Sequence, residues 1–92
     1  MAGSETIWIA ELLISERTAQ KLRIKHGLNP ADVRRALLAT RGLRARRIRD
    51  EERGERFLVR SSVNGEDCLA VLHDASSTDA DSVWRLATMY KV

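Results

Sequence analysis

The stretch Arg56–His73, RFLVRSSVNGEDCLAVLH, decides the fold of this chain. Its Asn64-Gly65 dipeptide separates two runs rich in apolar residues, which is the strongest short-range signal for a β-hairpin. A type I′ turn needs a positive φ at both central residues, and Asn and Gly tolerate that conformation best. The sequence therefore predicts two antiparallel strands joined by a two-residue turn.

The turn also fixes which residues face each other. When Val63 faces Glu66, every second pair lies on a face of small and apolar side chains, which we expect to join the core: Ser61–Cys68, Val59–Ala70 and Phe57–Leu72. The opposite face mixes aliphatic with cationic side chains, as does a surface that meets a polar partner. Its pairs are Ser62–Asp67, Arg60–Leu69, Leu58–Val71 and Arg56–His73.

Two short helices are predicted upstream of the hairpin. Ser15 is a typical N-cap and Gly27 a typical C′ residue, so the first helix spans Glu16–His26. Asn29 and Pro30 begin a second helix, whose apolar face carries Val33, Ala36, Leu37 and Thr40. These helices can cover one face of the sheet.

Three further segments favour strands. Thr6–Ile14 is an apolar run broken only by Glu11, and it predicts one strand at the start of a sheet. Leu43–Asp50 carries charge on both faces and suits an exposed strand, with a loop or an edge strand as the alternatives. Ser82–Val92 predicts a strictly alternating last strand, with Arg85 and Met89 on one side and Trp84, Leu86 and Tyr90 on the other.

The predicted architecture is a single α+β domain over residues 6–92, preceded by a disordered N-terminus at residues 1–5. One strand is followed by two short helices and then by a three- to four-stranded antiparallel sheet. With 92 residues, 43% hydrophobic and 32% charged, the composition is typical of a soluble globular protein. We expect neither a membrane span nor a signal peptide, because no apolar run approaches ~20 residues and Glu5 precedes the first one.

The one cysteine, Cys68, excludes an internal disulfide and indicates a reducing compartment, so we expect a cytoplasmic protein with a buried structural thiol. No metal-ligand spacing, Gly-rich phosphate loop, nucleophile elbow or dinucleotide fingerprint is present in the sequence. These absences argue against nucleotide-dependent enzymes and serine hydrolases, and we expect no metal or cofactor.

Arginine dominates the positive charge. Thirteen of the sixteen basic residues are arginines, and eight of them lie between Arg41 and Arg60. The planar guanidinium group binds phosphates and carboxylates in a bidentate manner, so the cluster indicates nucleic acid or an acidic protein as partner. The alternative is an arginine-rich solvated surface.

A small sheet that carries Arg, His, Tyr and Lys has the groups for RNA cleavage without a metal. A base takes the 2′-OH proton, cations stabilise the phosphorane, and an acid protonates the leaving 5′-oxygen. The predicted catalytic residues are His73 as base or acid and Arg60 and Arg85 as phosphate ligands. The predicted RNA-binding residues are Arg44, Arg46, Arg56, Tyr90, Lys91, Lys25 and His26. The alternatives are a hydrogen-bonded surface histidine at 73, a helix-terminal histidine at 26, an Arg60 whose stem covers an apolar face, and a core or interface role for Tyr90.

Three segments in order resemble BrnT-type toxins of bacterial type II toxin–antitoxin systems. They are Lys21–Val33 (KLRIKHGLNPADV), Arg53–Leu72 (RGERFLVRSSVNGEDCLAVL), which is similar to the family's RFLLIGRS…GRLLVVVH hairpin, and the last strand WRLATMYKV, which is similar to its RIISAR strand. The resemblance covers about residues 16–91. The matching positions are Lys25, His26, Gly27, Arg60, Arg85 and Ala87.

The resemblance implies a compact relative of the RelE ribonuclease fold that degrades RNA, and a ribbon-helix-helix antitoxin as partner. Thr88 stands where the family has its last-strand arginine, and the chain ends at Val92 where the family continues into a basic C-terminal helix. Three hypotheses follow: a toxin-like ribonuclease acting on mRNA, a non-catalytic domain of the same fold that binds an acidic protein, and a plain RNA- or DNA-binding module. A homodimer is compatible with all three.

Overall fold

A computed structural model of the chain describes residues 4–39, 42–52, 54–77 and 82–92. Within these residues the fold is α+β, with two helices and one curled, mixed sheet of six strands. The helices are α1 (Glu16–His26) and α2 (Pro30–Ala39). The strands are β1 (Ser4–Ile7), β2 (Glu11–Leu13), β3 (Leu43–Asp50), β4 (Gly54–Val63), β5 (Glu66–Asp74) and β6 (Val83–Lys91).

The central hairpin is confirmed. Asn64 and Gly65 have φ values of 53° and 82°, the two positive values that a type I′ turn requires. Strands β4 and β5 pair in the predicted register, from Val63–Glu66 at the turn to Phe57–Leu72. Local turn chemistry therefore sets the alignment of the two longest neighbouring strands of the sheet.

Both predicted helices are confirmed, with their caps. The Ser15 hydroxyl accepts a hydrogen bond from the Thr18 N–H at 3.1 Å, and Gly27 ends α1 in the left-handed conformation. The Asn29 side chain accepts from the Ala31 N–H at 2.9 Å at the start of α2. The residues that the helices bury are Leu22, Val33 and Leu37, whereas Thr40 lies outside the described residues.

The four antiparallel strands predicted after the helices are confirmed as β3–β6, but the apolar run Thr6–Ile14 does not form one strand and instead adds a strand at each edge of the sheet. The sheet order is β1-β3-β4-β5-β6-β2, with β1 antiparallel to β3 at one edge and β2 parallel to β6 at the other. Ile7, Ile9 and Leu12 are all buried, which the strict alternation of a single strand does not permit.

The two edges of the sheet lie close together because only residues 8–10 join β1 to β2. Three residues span little more than about 10 Å, so the sheet must curl until its edge strands approach. The Trp84 indole N–H donates to the Trp8 carbonyl at 3.3 Å and fixes this approach.

The N-terminal strand begins earlier than the sequence predicts. Ser4 and Glu5 belong to β1 rather than to a disordered terminus, because β3 offers them a strand partner: Glu5 pairs with Ala45. The Glu5 carboxylate also lies 2.8 Å from the Arg47 guanidinium. Residues 1–3 lie outside the described part of the chain.

A β-bulge corrects the alternation predicted for the last strand. Leu72 pairs with Leu86 whereas its neighbour Val71 pairs with Thr88, so Ala87 is an extra residue in β6. The bulge moves Met89 to the core face and places Tyr90 on the same face as Arg85.

Strand β3 is confirmed as a strand, although it lies between β1 and β4 rather than at an edge. Leu43 and Ala45 are buried, and the strand continues beyond the core with charged residues. On the core side, Arg47 and Arg49 both form ion pairs with Glu55, and the Arg47 guanidinium lies 5.2 Å from the centroid of a phenylalanine ring.

The core fills one face of the sheet, which both helices cover. Helix α1 packs against β6 where β2 no longer pairs with it, since β2 contacts β6 only from Val83 to Arg85. The helix thus protects a strand edge that would otherwise be open to another chain. Within the described residues, neither helix is long and apolar enough to cross a bilayer.

Candidate nucleic-acid interface

The opposite face of β3–β6, which we call the outer face, is covered by neither helix. Its side chains point outwards because their neighbours along each strand are buried in the core. Strand register arranges them in three rows across the sheet. The Arg60 row is Arg44, Arg60, Leu69 and Tyr90; the middle row is Arg46, Leu58, Val71 and Thr88; the His73 row is Ile48, Arg56, His73 and Arg85.

The outer face is cationic. Its three rows carry five arginines and a histidine and, among the described residues, no acidic side chain; the exposed Asp67 lies on the same face beyond the Arg60 row, opposite Ser62. None of the five arginines forms an ion pair with another described residue, which is also true of Arg17, Arg23 and Arg34 on the helices, whereas Arg35, Arg47 and Arg49 have carboxylate partners. The outer face therefore concentrates positive charge that the described part of the chain does not neutralise.

Aliphatic side chains lie between the charged groups. Leu58, Leu69, Val71 and Ile48 are half-buried, so the face offers apolar surface as well as charge. A shallow groove of about 340 Å³ is lined by Arg44, Ala45, Arg46, Leu58, Arg60 and Leu69. A flat apolar floor bordered by guanidinium groups suits a ligand that combines planar rings with anionic groups.

His73 lies at the far end of this face in a defined orientation. Its Nδ1 is 3.2 Å from the Glu55 carbonyl oxygen, which can only accept, so Nδ1 carries the hydrogen and donates. In the neutral imidazole Nε2 is then the acceptor, which is the form of a general base. Arg85 pairs with His73 directly across β5 and β6.

The other neighbour in this row is Arg56. The hairpin register, extended by one residue beyond Phe57–Leu72, places it opposite His73. The Arg56 Nε atom is buried and makes no hydrogen bond with the described residues. The His73 row thus combines one acceptor nitrogen with two guanidinium groups.

The predicted catalytic set is only partly brought together. His73 and Arg85 are neighbours, but Arg60 is four residues along the strand from the His73 row, which corresponds to about 13 Å. Arg60 instead lines the groove with Arg44 and Arg46. The structure therefore places Arg60 in a different row from the pair His73 and Arg85.

The remaining predicted RNA-binding residues divide between the outer face and its surroundings. Tyr90 ends the Arg60 row, and the His26 ring lies 6.2 Å from it, centroid to centroid. Lys91 pairs with Cys68 on the core face, and its ammonium group lies 3.2 Å from the Glu66 carboxylate. Lys25 is exposed on α1 beside Arg17, Lys21 and Ile24.

Two features of the site were missed by sequence reasoning. Arg34 lies with Arg85 along a groove beside β2, and its guanidinium donates to the Leu12 carbonyl; no local pattern joins these residues. Thr88 occupies the middle row opposite Val71, between the two charged ends of the outer face. The hairpin register and the bulge position together would have located it.

Cys68 does not take part in this site. It is fully buried on the core face, and burial raises the pKa of its thiol, with the Glu66 carboxylate adding to the effect. The thiol therefore stays protonated and unreactive, as predicted for a structural cysteine. Among the described residues, His, Cys, Asp and Glu side chains form no group of three or more that could hold a metal ion.

Comparison with protein-family models, with curated proteins and with solved structures found no match to this chain.

Proposed function

We propose that this chain is a toxin-like endoribonuclease of a bacterial toxin–antitoxin system, which binds mRNA on its outer face and cleaves it without a metal ion. The observation that supports this function best is the set of five unpaired arginines on the face that neither helix covers. This role places the protein in the cytoplasm, and its fold is that of a compact RelE relative.

Unpaired guanidinium groups favour phosphate ligands for two reasons. Each offers a planar set of N–H donors that matches a phosphate, and binding releases counterions from the nucleic acid. Arginines that already have carboxylate partners, such as Arg47 with Glu5, gain less because a phosphate must replace an existing contact. The outer-face arginines have no such competitor among the described residues.

Cleavage takes place at the His73 row. His73 Nε2 accepts the proton of the 2′-OH, the 2′-oxygen attacks phosphorus, and the bond to the 5′-oxygen breaks to give a 2′,3′-cyclic phosphate and a 5′-OH. Arg56 and Arg85 stabilise the charge on the phosphorane. Tyr90 lies about 13 Å away in the Arg60 row, so water supplies the proton to the leaving oxygen and cleavage is slow.

An acidic ribbon-helix-helix antitoxin is the proposed partner. A segment with carboxylates and apolar side chains complements a face that mixes arginines with Leu58, Leu69 and Val71. Such a segment would cover the RNA-binding surface and so neutralise the activity.

The function is tested by expressing the chain alone and by incubating the purified protein with RNA in EDTA. We expect growth arrest and RNA products that end in a cyclic phosphate, both lost in His73→Ala. Normal growth together with intact RNA at high protein concentration would contradict the ribonuclease function.

A second candidate function is a catalytically inactive RNA-binding or protein-interaction domain of the same fold. It is favoured by Thr88, which stands where the toxins it resembles carry an arginine, and by the distance between Arg60 and His73. Tight RNA binding without any cleavage products would support this candidate over the first.

A further inference from the structure

We infer that the outer face holds one extended single strand of RNA at two separate phosphate clamps, and that only the clamp at His73 lies at the bond that is cut. This inference rests on the proposed function and adds the form of the substrate and the division of roles. The first clamp is Arg44 and Arg60; the second is Arg56 and Arg85 beside His73, and Arg46 lies in the middle row between them.

On β4 and β5 the two clamps are separated by apolar surface. Between Arg60 and Arg56 on β4 lies Leu58, and between Leu69 and His73 on β5 lies Val71. The first clamp lines a groove with Leu58 and Leu69, whereas Arg85 lines a different groove with Leu13, Ile14 and Arg34. Arg85 therefore borders a different depression of the surface from the first clamp.

The separation matches a short piece of an extended nucleic-acid strand. The clamps are about 13 Å apart along the strand direction, from four residues at ~3.3 Å each. A sugar–phosphate backbone that follows a positively charged groove can place two phosphates of one strand, with nucleotides between them, at the two clamps. Their path runs along β4 and β5.

The apolar floor favours a single strand over a duplex. Leu58, Leu69 and Val71 are half-buried and gain from contact with the faces of unstacked bases. In a duplex the faces of the bases are stacked inside, so only sugars and phosphates can contact the apolar floor. The aliphatic side chains then remain exposed to water. Tyr90 at the end of the Arg60 row provides a ring for a further base of a single strand.

Two clamps on one strand make the contributions of the arginines depend on the length of the ligand. A dinucleotide has one internal phosphate and occupies one clamp at a time, so loss of either clamp leaves the other available. A hexanucleotide engages both clamps at once, and the second contact is then intramolecular. Loss of either clamp must weaken the hexanucleotide far more than the dinucleotide.

The experiment measures binding by fluorescence anisotropy with labelled oligodeoxyuridylates, which lack the 2′-OH and are not cleaved. The proteins are the wild type, Arg60→Ala for the first clamp, Arg85→Ala for the second, and Arg17→Ala on α1 as a charge-matched control. We expect each clamp variant to raise the hexanucleotide Kd by about tenfold, as loss of one charge-assisted contact does. The dinucleotide Kd should change by less than about threefold, and Arg17→Ala should change neither.

A blunt duplex long enough to stay paired should bind more weakly than a single-stranded oligodeoxyuridylate of the same strand length. Equal losses for the dinucleotide and the hexanucleotide, or tighter binding of the duplex, would overturn the two-clamp arrangement while leaving RNA binding in place. Absence of any binding, to either oligonucleotide, would overturn the proposed function as well. Length-dependent losses in a protein that cleaves no RNA would support the clamps and contradict only the ribonuclease. Unchanged unfolding curves for the three variants exclude misfolding as the cause of a loss.

Discussion

His73 and Arg85 lie directly opposite each other on β5 and β6, while Arg60 lies four residues further along the outer face. The pair places a proton acceptor beside a cation, which is the arrangement that a 2′-OH and a phosphate require. In the proposed function Arg60, at about 13 Å, contacts the same RNA strand at another phosphate. Binding and cleavage are therefore assigned to different ends of one surface.

His73→Ala should abolish cleavage and leave binding intact. General-base catalysis contributes about 10²–10⁴-fold, and removal of the imidazole should slow single-turnover RNA cleavage by this factor. The control is Arg35→Ala on α2, whose guanidinium pairs with Asp32 on the helical side. Equal cleavage rates for His73→Ala and the wild type would remove His73 from the mechanism.

Arg60→Ala should weaken RNA binding in a salt-dependent way. Loss of one phosphate contact to a single strand should reduce the slope of log Kd against log salt concentration by about 0.7. In cleavage assays KM should rise more than kcat falls, because Arg60 lies away from the bond that is cut. Titrations at three or four salt concentrations measure the slope, and an unchanged slope would show that Arg60 contacts no phosphate.

Thr88→Arg should strengthen binding and speed cleavage. Thr88 lies opposite Val71 in the middle row, so a guanidinium there adds charge between the two clamps. We expect a Kd lower by several-fold at low salt and a steeper salt slope by about 0.7. Weaker binding than wild type would indicate that the middle row does not face the RNA.

Gly65→Ala should destabilise the protein through backbone strain alone. Gly65 has a φ of 82°, which residues with a Cβ rarely adopt, and a methyl group there would meet no atom within 4 Å. We expect the free energy of unfolding to fall by about 1–2 kcal/mol, measured by urea denaturation. Ser62→Ala, an exposed position on β4, is the control. No loss of stability in Gly65→Ala would contradict the type I′ turn.

The stability of the protein should decrease in alkaline solution because of Cys68. Burial raises the pKa of its thiol in the folded state, so the unfolded chain releases this proton at a lower pH than the native protein does. The contribution of the protonated Cys68 thiol to the free energy of unfolding is fully present below about pH 8.5, the ordinary pKa of a free thiol. It is lost as the pH rises towards the higher pKa of the folded state. Cys68→Ala should remove this part of the pH dependence, whereas a profile identical to the wild type would contradict it.

The sequence alone was sufficient to predict the parts of the fold that are determined by residues close together in the chain. Asn64-Gly65 determined the hairpin register, and Ser15 and Gly27 determined the ends of α1. The hairpin register also predicts that Arg60 lies four residues from the His73 row, because both residues lie on the outer face. That part of the site was predictable without the structure.

The missed features depend on contacts between distant residues. The parallel pairing of Leu12 with Trp84 divides an apolar run that has no turn residue, and no local pattern marks the division. Residues of similar polarity lie on both faces of β6, so the alternation of polar and apolar residues could not predict the bulge at Ala87. The bulge nevertheless decides that Arg85 and Tyr90 share one face.

The most direct test of the central claim compares two triple variants of equal charge. One replaces Arg46, Arg60 and Arg85 on the outer face by alanine, and the other replaces Arg17, Arg23 and Arg35 on the helices. Binding of a single-stranded hexanucleotide is measured for both at the same salt concentration. If the outer face is the RNA site, the first variant loses binding by about a hundredfold or more and the second stays within a few-fold of the wild type. Equal losses in the two variants would show that net charge, and not the outer face, accounts for the binding.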